Sequence, residues 1–154
     1  MKIAIYPGSF DPITNGHLEI LKRALNIFDR VIVLVAVNSE KNPRFSPEER
    51  VAMIKESIND DRVDVDFYDG LTVEYAKKHG ANHLIRGLRA VTDFEYEFSL
   101  ASANDFVDSS IDTVFLMSNA EKSFINSSMI IGLHQKGIDV SSLVPPAVIK
   151  RLNK

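Results

Sequence analysis

The sequence contains no cysteine. That excludes a disulfide framework, a thiolate nucleophile and a zinc site built on cysteines. Glycine and proline are sparse, at 7 and 6 of 154 residues, too few for a flexible linker or a low-complexity chain. The longest apolar run, residues 31–37, is far short of the roughly 20 residues that a membrane-crossing helix needs. Basic charge is not in excess either, with 18 Lys and Arg against 21 Asp and Glu and a net charge of −3. A nucleic-acid-binding protein, which usually presents a net basic face, is therefore not expected. A small polyanionic ligand remains compatible, because a few local cations can hold one. The apolar stretch at residues 3–6 is too short for the core of a signal peptide and precedes no small-residue cleavage site, so a cytoplasmic location is expected.

What is present is an ordinary globular composition, 45% hydrophobic and 25% charged, in a length that suits one domain over residues 1–154. Short apolar runs at 3–6, 31–37, 63–67, 83–85 and 113–117 read as strands, several of them apolar almost throughout. Helical periodicity lies between them. Leu18, Leu21, Leu25 and Phe28 share one face. Ser46-Pro47-Glu48-Glu49 is a capping box with proline at the first helical position, opening a helix that carries Val51, Ile54 and Ile58. Thr92-Asp93-Phe94-Glu95 is a second candidate box. Its helix has two apolar stripes, Phe94/Phe98/Ala101 and Tyr96/Leu100/Ala103/Val107, which implies either deep burial in the domain or a stripe facing another subunit. Strand and helix in alternation predict an α/β domain with a parallel sheet and right-handed crossovers. Ligands in such sheets gather at the carboxyl ends of the strands.

The candidate residues stand at those ends. After the first strand, Gly8-Ser9-Phe10-Asp11-Pro12 leads to Thr14-Asn15-Gly16-His17, with His17 at a helix start. A helix start is a natural phosphate seat, although this is neither a dinucleotide fingerprint nor a P-loop. Taken alone it reads more readily as a capped turn than as a site. Lys41 and Arg44 precede the capped helix, and in isolation they read as a solvated loop. Arg86-Gly87-Leu88-Arg89 brings two arginines to a strand end, where they can clamp phosphates bidentately. Asn126-Ser127-Ser128 combines capping chemistry with free helix amides. Elsewhere the signals are bland. His79 before Gly80 marks a helix end, His83 and His134 lack partners at metal-ligand spacing, and no GxSxG elbow occurs.

The Gly8–Pro12 and Thr14–His17 segments together resemble the HxGH nucleotidyltransferases. Thr14 in the TxGH form, the run Arg86-Gly87-Leu88-Arg89-Ala90 with Asp93-Phe94-Glu95-Tyr96-Glu97, and Ser123-Phe124-Ile125-Asn126-Ser127-Ser128 are similar to the phosphopantetheine adenylyltransferase family. These matches span almost the whole chain. The resemblance implies transfer of adenylyl from ATP to 4′-phosphopantetheine, giving dephospho-coenzyme A and pyrophosphate. It also implies a Rossmann-like, doubly wound five-stranded parallel sheet with helices on both faces, a homohexamer, and Mg2+ held mainly through the ATP phosphates, with no protein metal ligand assigned. By position, Ser9, Phe10, His17, Gly87, Leu88, Arg89, Glu97, Lys122, Ser123, Phe124, Ile125, Asn126, Ser127 and Ser128 would contact ATP. Ser9, Lys41, Thr72 and Arg86 would hold phosphopantetheine, and His17, Lys41 and Arg89 would act in catalysis. Coenzyme A is expected as a product-like ligand of the same cleft.

Three positions depart from the family pattern. Ser9 stands where threonine is common, keeping the hydroxyl. Asn126 replaces a serine, and Lys122 replaces a frequent aromatic residue. The expected chemistry needs no strong base, since a phosphate nucleophile is already ionised at neutral pH. It needs positioning and charge stabilisation. Alternatives to be separated are a glycerol-phosphate cytidylyltransferase, a nicotinate-mononucleotide adenylyltransferase and a non-catalytic nucleotide sensor.

Overall fold

The computed structural model describes residues 1–38, 42–118 and 125–154, leaving aside the side chains of residues 91 and 92. Five strands, β1 (Ile3–Gly8), β2 (Arg30–Ala36), β3 (Val63–Tyr68), β4 (His83–Leu88) and β5 (Asp112–Met117), form one sheet in the order β3-β2-β1-β4-β5. Every pairing is parallel. The helices are α1 (Asn15–Ala24), α2 (Pro47–Ser57), α3 (Thr72–Lys78), α4 (Val91–Val107), α5 (Ser127–Gln135) and α6 (Pro146–Leu152).

Strand alternation divides the core in two. Ala4 and Tyr6 of β1 with Val31, Val33 and Val35 of β2 face one layer, packed against Ile20 and Leu21 of α1, Ile54 of α2, Ile130 of α5 and Val148 of α6. Ile5, Ile32 and Leu34 face the other, against Val73 and Ala76 of α3. Period-two side chains on a sheet covered on both faces require apolar residues at successive positions, and this is why β1 and β2 read as continuous apolar runs.

The strand order reverses between β1 and β4. These two pair only at Ala4–His83 and Ile5–Leu84, whereas β1–β2 and β4–β5 pair along their whole lengths. The carboxyl halves of β1 and β4 therefore diverge, opening a crevice at the switch in strand order, where open α/β sheets bind ligands.

Local signals hold at most helix ends. Ser46 and Glu49 make the reciprocal capping box with Pro47 in the first turn. Asn126 Oδ1 accepts from the Met129 amide at 2.9 Å and opens α5. Gly80 follows α3 with φ +69°, the left-handed stop that glycine adopts without penalty. Two expectations are corrected. Strand β4 runs past residue 85 to Leu88, so Arg86 and Gly87 sit within the strand and not in a loop beyond it. The helix does not open at Thr92; α4 begins at Val91 after Ala90, with no side-chain cap. Asp93, in the first turn of the helix, accepts from the Arg89 amide at 3.1 Å. Helix α4 is not sunk in the core. Among its described residues only Glu97 is buried, while Phe94, Phe98 and Phe106 are exposed.

Candidate active site

A cleft of about 630 Å³ opens at the carboxyl ends of β1 and β4. It is built first from the turn after β1. Phe10 adopts φ +46°, a left-handed conformation that costs a non-glycine residue about 1–2 kcal/mol. In this conformation the ring meets Tyr6 edge-on at 5.2 Å and His17 edge-on at 5.0 Å. Gly8 leaves room for it, since a Cβ at that position would stand 3.0 Å from two Phe10 ring carbons.

His17 occupies the third position of α1 and takes the place of the acidic residue in a capping box. The Thr14 amide donates to His17 Nδ1 at 3.0 Å, and the His17 amide donates to Thr14 Oγ1 at 3.2 Å. Nδ1 is thus an acceptor, and a neutral ring must carry its proton on Nε2. Burial, followed by the positive charges of Arg89 and Arg86, pushes the imidazole down to about 4. The site holds a neutral histidine whose one remaining polar group is an N–H donor.

Arg86 crosses the crevice between the diverging strands. Its Nη1 donates to the Pro7 carbonyl at 3.0 Å, while Nε and Nη2 donate to the two carboxylate oxygens of Glu97 at 2.7 Å each. Burial pulls this guanidinium downward, but the hydrogen bonds and charge of the Glu97 carboxylate, with smaller contributions from Tyr6 and Tyr96, hold it above its ordinary range. A guanidinium has five N–H donors, so two remain. Arg89 lies beside Asp93, Nε to Oδ2 at 3.3 Å. On the opposite wall Ser127 Oγ donates to the Pro12 carbonyl at 2.8 Å and ties the start of α5 to the β1–α1 turn. The first amides of α5 have no intrahelical acceptor, as in any helix start.

Ser9, Phe10, His17, Arg86, Gly87, Arg89, Glu97, Ile125, Asn126, Ser127 and Ser128 all line this one cleft. Leu88 ends β4 opposite Met117, and Thr72 opens α3 beyond the edge strand β3; neither is on the cleft wall. Lys41, Lys122, Ser123 and Phe124 lie outside the described residues. Glu97, expected at ATP, spends both oxygens on Arg86.

The family pattern of the cytidylyltransferase-like proteins matches residues 5–133. A phosphopantetheine adenylyltransferase of Geotalea daltonii is 51% identical over 154 residues, covering 99% of this chain and 96% of that protein. The chain belongs to the phosphopantetheine adenylyltransferase family. A second member of the family, from Caldanaerobacter subterraneus subsp. tengcongensis, is 48% identical with the same coverage. The fold extends further than the family. A Vibrio parahaemolyticus protein assigned as a nicotinate-nucleotide adenylyltransferase superposes with a TM-score of 0.72 at 20% identity, each chain covered in full.

Sequence reasoning overlooked two residues on the wall of this adenylyltransferase-family cleft. Ser118 Oγ is buried there without a hydrogen-bond partner among the described residues. Arg50 is 4% exposed and, among the described residues, donates to carbonyls alone, those of Ser9, Phe45 and Ser46. A signal for Arg50 existed: a cation in the first turn opposes the helix dipole, which favours anions there.

Proposed function

We propose that this chain transfers adenylyl from ATP to 4′-phosphopantetheine, forming dephospho-coenzyme A and releasing pyrophosphate, by direct in-line attack. A phosphate oxygen of the acceptor forms a bond to the α-phosphorus as the bond to the departing pyrophosphate oxygen breaks. Two anions must approach each other while negative charge grows on the phosphates, so the protein has to position and neutralise more than it has to move protons.

The observation that carries this reading is the Thr14–His17 cap. It supports a neutral imidazole that donates a hydrogen bond from Nε2 to an α-phosphate oxygen without giving up the proton. Arg89 and the first amides of α5 suit the triphosphate, and the two spare donors of Arg86 suit the acceptor phosphate with Lys41. Mg2+ would reduce the charge repulsion between the phosphates. Among the described residues no group of three carboxylates or histidines is arranged for a metal, and Asp93 and Glu97 are engaged by arginines. We read the ion as held chiefly by the phosphates of ATP, as Mg2+ often is.

The same cleft would accept coenzyme A, which contains the product. Among the described residues no helix is long and apolar enough to cross a membrane, and cytoplasmic residence suits the substrates. The exposed Phe94, Phe98 and Phe106 on α4 support self-association, and a homohexamer is our reading.

The deciding experiment measures pyrophosphate release from ATP and Mg2+ with 4′-phosphopantetheine, with pantetheine as the control acceptor. Release is expected only with the phosphorylated acceptor. No release from folded protein that binds ATP would overturn the assignment in favour of a nucleotide sensor.

A further inference from the structure

The segment leading into α2 forms one wall of the cleft through Asn42 and Pro43. It belongs to no strand or helix, so its placement depends on side chains that reach it. Asp11 supplies two contacts, accepting from the Arg44 amide on Oδ2 at 2.7 Å and from the Phe45 amide on Oδ1 at 2.9 Å. Arg50 supplies the rest. Its Nε donates to the Phe45 carbonyl at 3.0 Å and lies 3.4 Å from that of Ser46, while Nη1 donates to the Ser9 carbonyl at 2.9 Å.

Phe45 is thereby held on both sides of its backbone, N–H by Asp11 and C=O by Arg50, with its ring buried in the core. Three of these bonds, those of Asp11 with the Arg44 and Phe45 amides and that of Arg50 with the Ser9 carbonyl, join the β1–α1 turn, which carries Ser9 and Phe10, to residues 44–50. Among the described residues no carboxylate lies within ion-pair distance of Arg50. A planar guanidinium bridging two carbonyls spans the two segments rigidly, and an ammonium on a flexible stem does not.

We propose that Asp11 and Arg50 are positioning residues, a brace through the Phe45 backbone that sets the Asn42–Pro43 wall of the cleft, which follows the expected acceptor residue Lys41 in sequence, at its working distance from the Ser9–Phe10 turn. This rests on the adenylyl-transfer reading. The two walls would hold the two reactants, and a displacement of about 1 Å between reacting groups is enough to cost about a hundredfold in rate. The brace touches neither substrate in this account, so its loss should fall on turnover and acceptor use and spare ATP affinity.

The test uses full-length Arg50→Lys and the milder Asp11→Asn, which keeps one acceptor oxygen. With protein of verified fold, kcat is expected to fall at least about tenfold in Arg50→Lys and less in Asp11→Asn. The KM for 4′-phosphopantetheine should rise and the Kd for ATP should stay within about twofold. Unchanged kcat in folded variants, or a loss that only tracks the folded fraction, would overturn the proposal. Hydrogen exchange at the Arg44 and Phe45 amides gives an arm independent of the reaction. Asp11→Asn should speed exchange at these amides while global stability is held, and unchanged exchange would remove the brace. If the wild type releases no pyrophosphate with 4′-phosphopantetheine, the functional reading fails, and amide exchange alone decides the brace.

Discussion

Arg86 and Glu97 meet fork to fork, with two parallel N–H···O bonds of 2.7 Å joining β4 to α4 at the end of the sheet. The pairing makes Glu97 a holder of Arg86. Removing the carboxylate leaves a mostly buried cation without compensation, which in a fully buried pair costs about 3–5 kcal/mol. Arg86 retains 23% of its side-chain exposure, so Glu97→Ala is expected to destabilise by less, about 2–3 kcal/mol. Denaturant midpoints for Glu97→Ala, Arg86→Met and the double variant should be non-additive, with the double variant better than the sum. Simple additivity would show that the pair does not act as a unit.

His17→Ala should lower kcat at least about a hundredfold while weakening ATP binding by less than about tenfold, because its donor is directed at charge that grows in the transition state. Steady-state kinetics with equilibrium ATP binding separate the two effects. A rise in KM at unchanged kcat would make His17 a ground-state binder.

The depressed His17 value also predicts a pH dependence of stability. Its folded value is about 4 and its ordinary value 6.5. Between these the unfolded chain binds a proton that the folded chain refuses, so stability falls as pH drops from 6.5 towards 4 and this contribution levels off below. Urea midpoints at pH 7 and pH 5 should differ less in His17→Asn than in the wild type. An imidazole resonance of His17 titrating near pH 6.5 would contradict the burial argument.

Gly8→Ala places a methyl group 3.0 Å from two ring carbons of Phe10. The ring is already packed on Tyr6 and His17, so it cannot withdraw freely. A stability loss of about 1–3 kcal/mol is expected, together with reduced kcat. Gly16→Ala, whose Cβ would find its nearest neighbour at 3.5 Å, should fold normally. Thermal melts of the two variants make the comparison.

Helix α4 should mediate self-association. Phe106 is 92% exposed and Phe98 58% exposed in the single chain. Light scattering of the wild type is expected to give about six times the 17.2 kDa chain mass, and Phe98→Glu with Phe106→Glu should give smaller species. A wild-type monomer at assay concentration would refute the assembly.

Local pattern was enough to read the alternation of strands and helices, the Ser46 box and the Asn126 cap, because each depends on residues within one turn or one strand. It also sufficed to bring Ser9, His17, Arg86 and Ser127 to one edge of the sheet, since a parallel sheet has only one carboxyl end. The same local reasoning misplaced the start of α4. There the pattern pointed to Thr92, whereas the helix opens at Val91 and Asp93 in its first turn reaches back to Arg89. Helix α6 carried no signal strong enough to single it out.

The cleft's internal wiring was beyond sequence because its partners are distant along the chain. Arg86 reaches Pro7 across 79 residues and Arg50 reaches Ser9 across 41. Their spacing obeys no helical or strand period, so nothing short of the folded sheet brings them together. Only the divergence of β1 from β4 creates the gap that Arg86 spans. Motif and period could name several residues that line the cleft, but the charge that each one keeps available was decided by tertiary packing. Burial makes unpaired charges costly, and each partner it recruits leaves that group with fewer free donors.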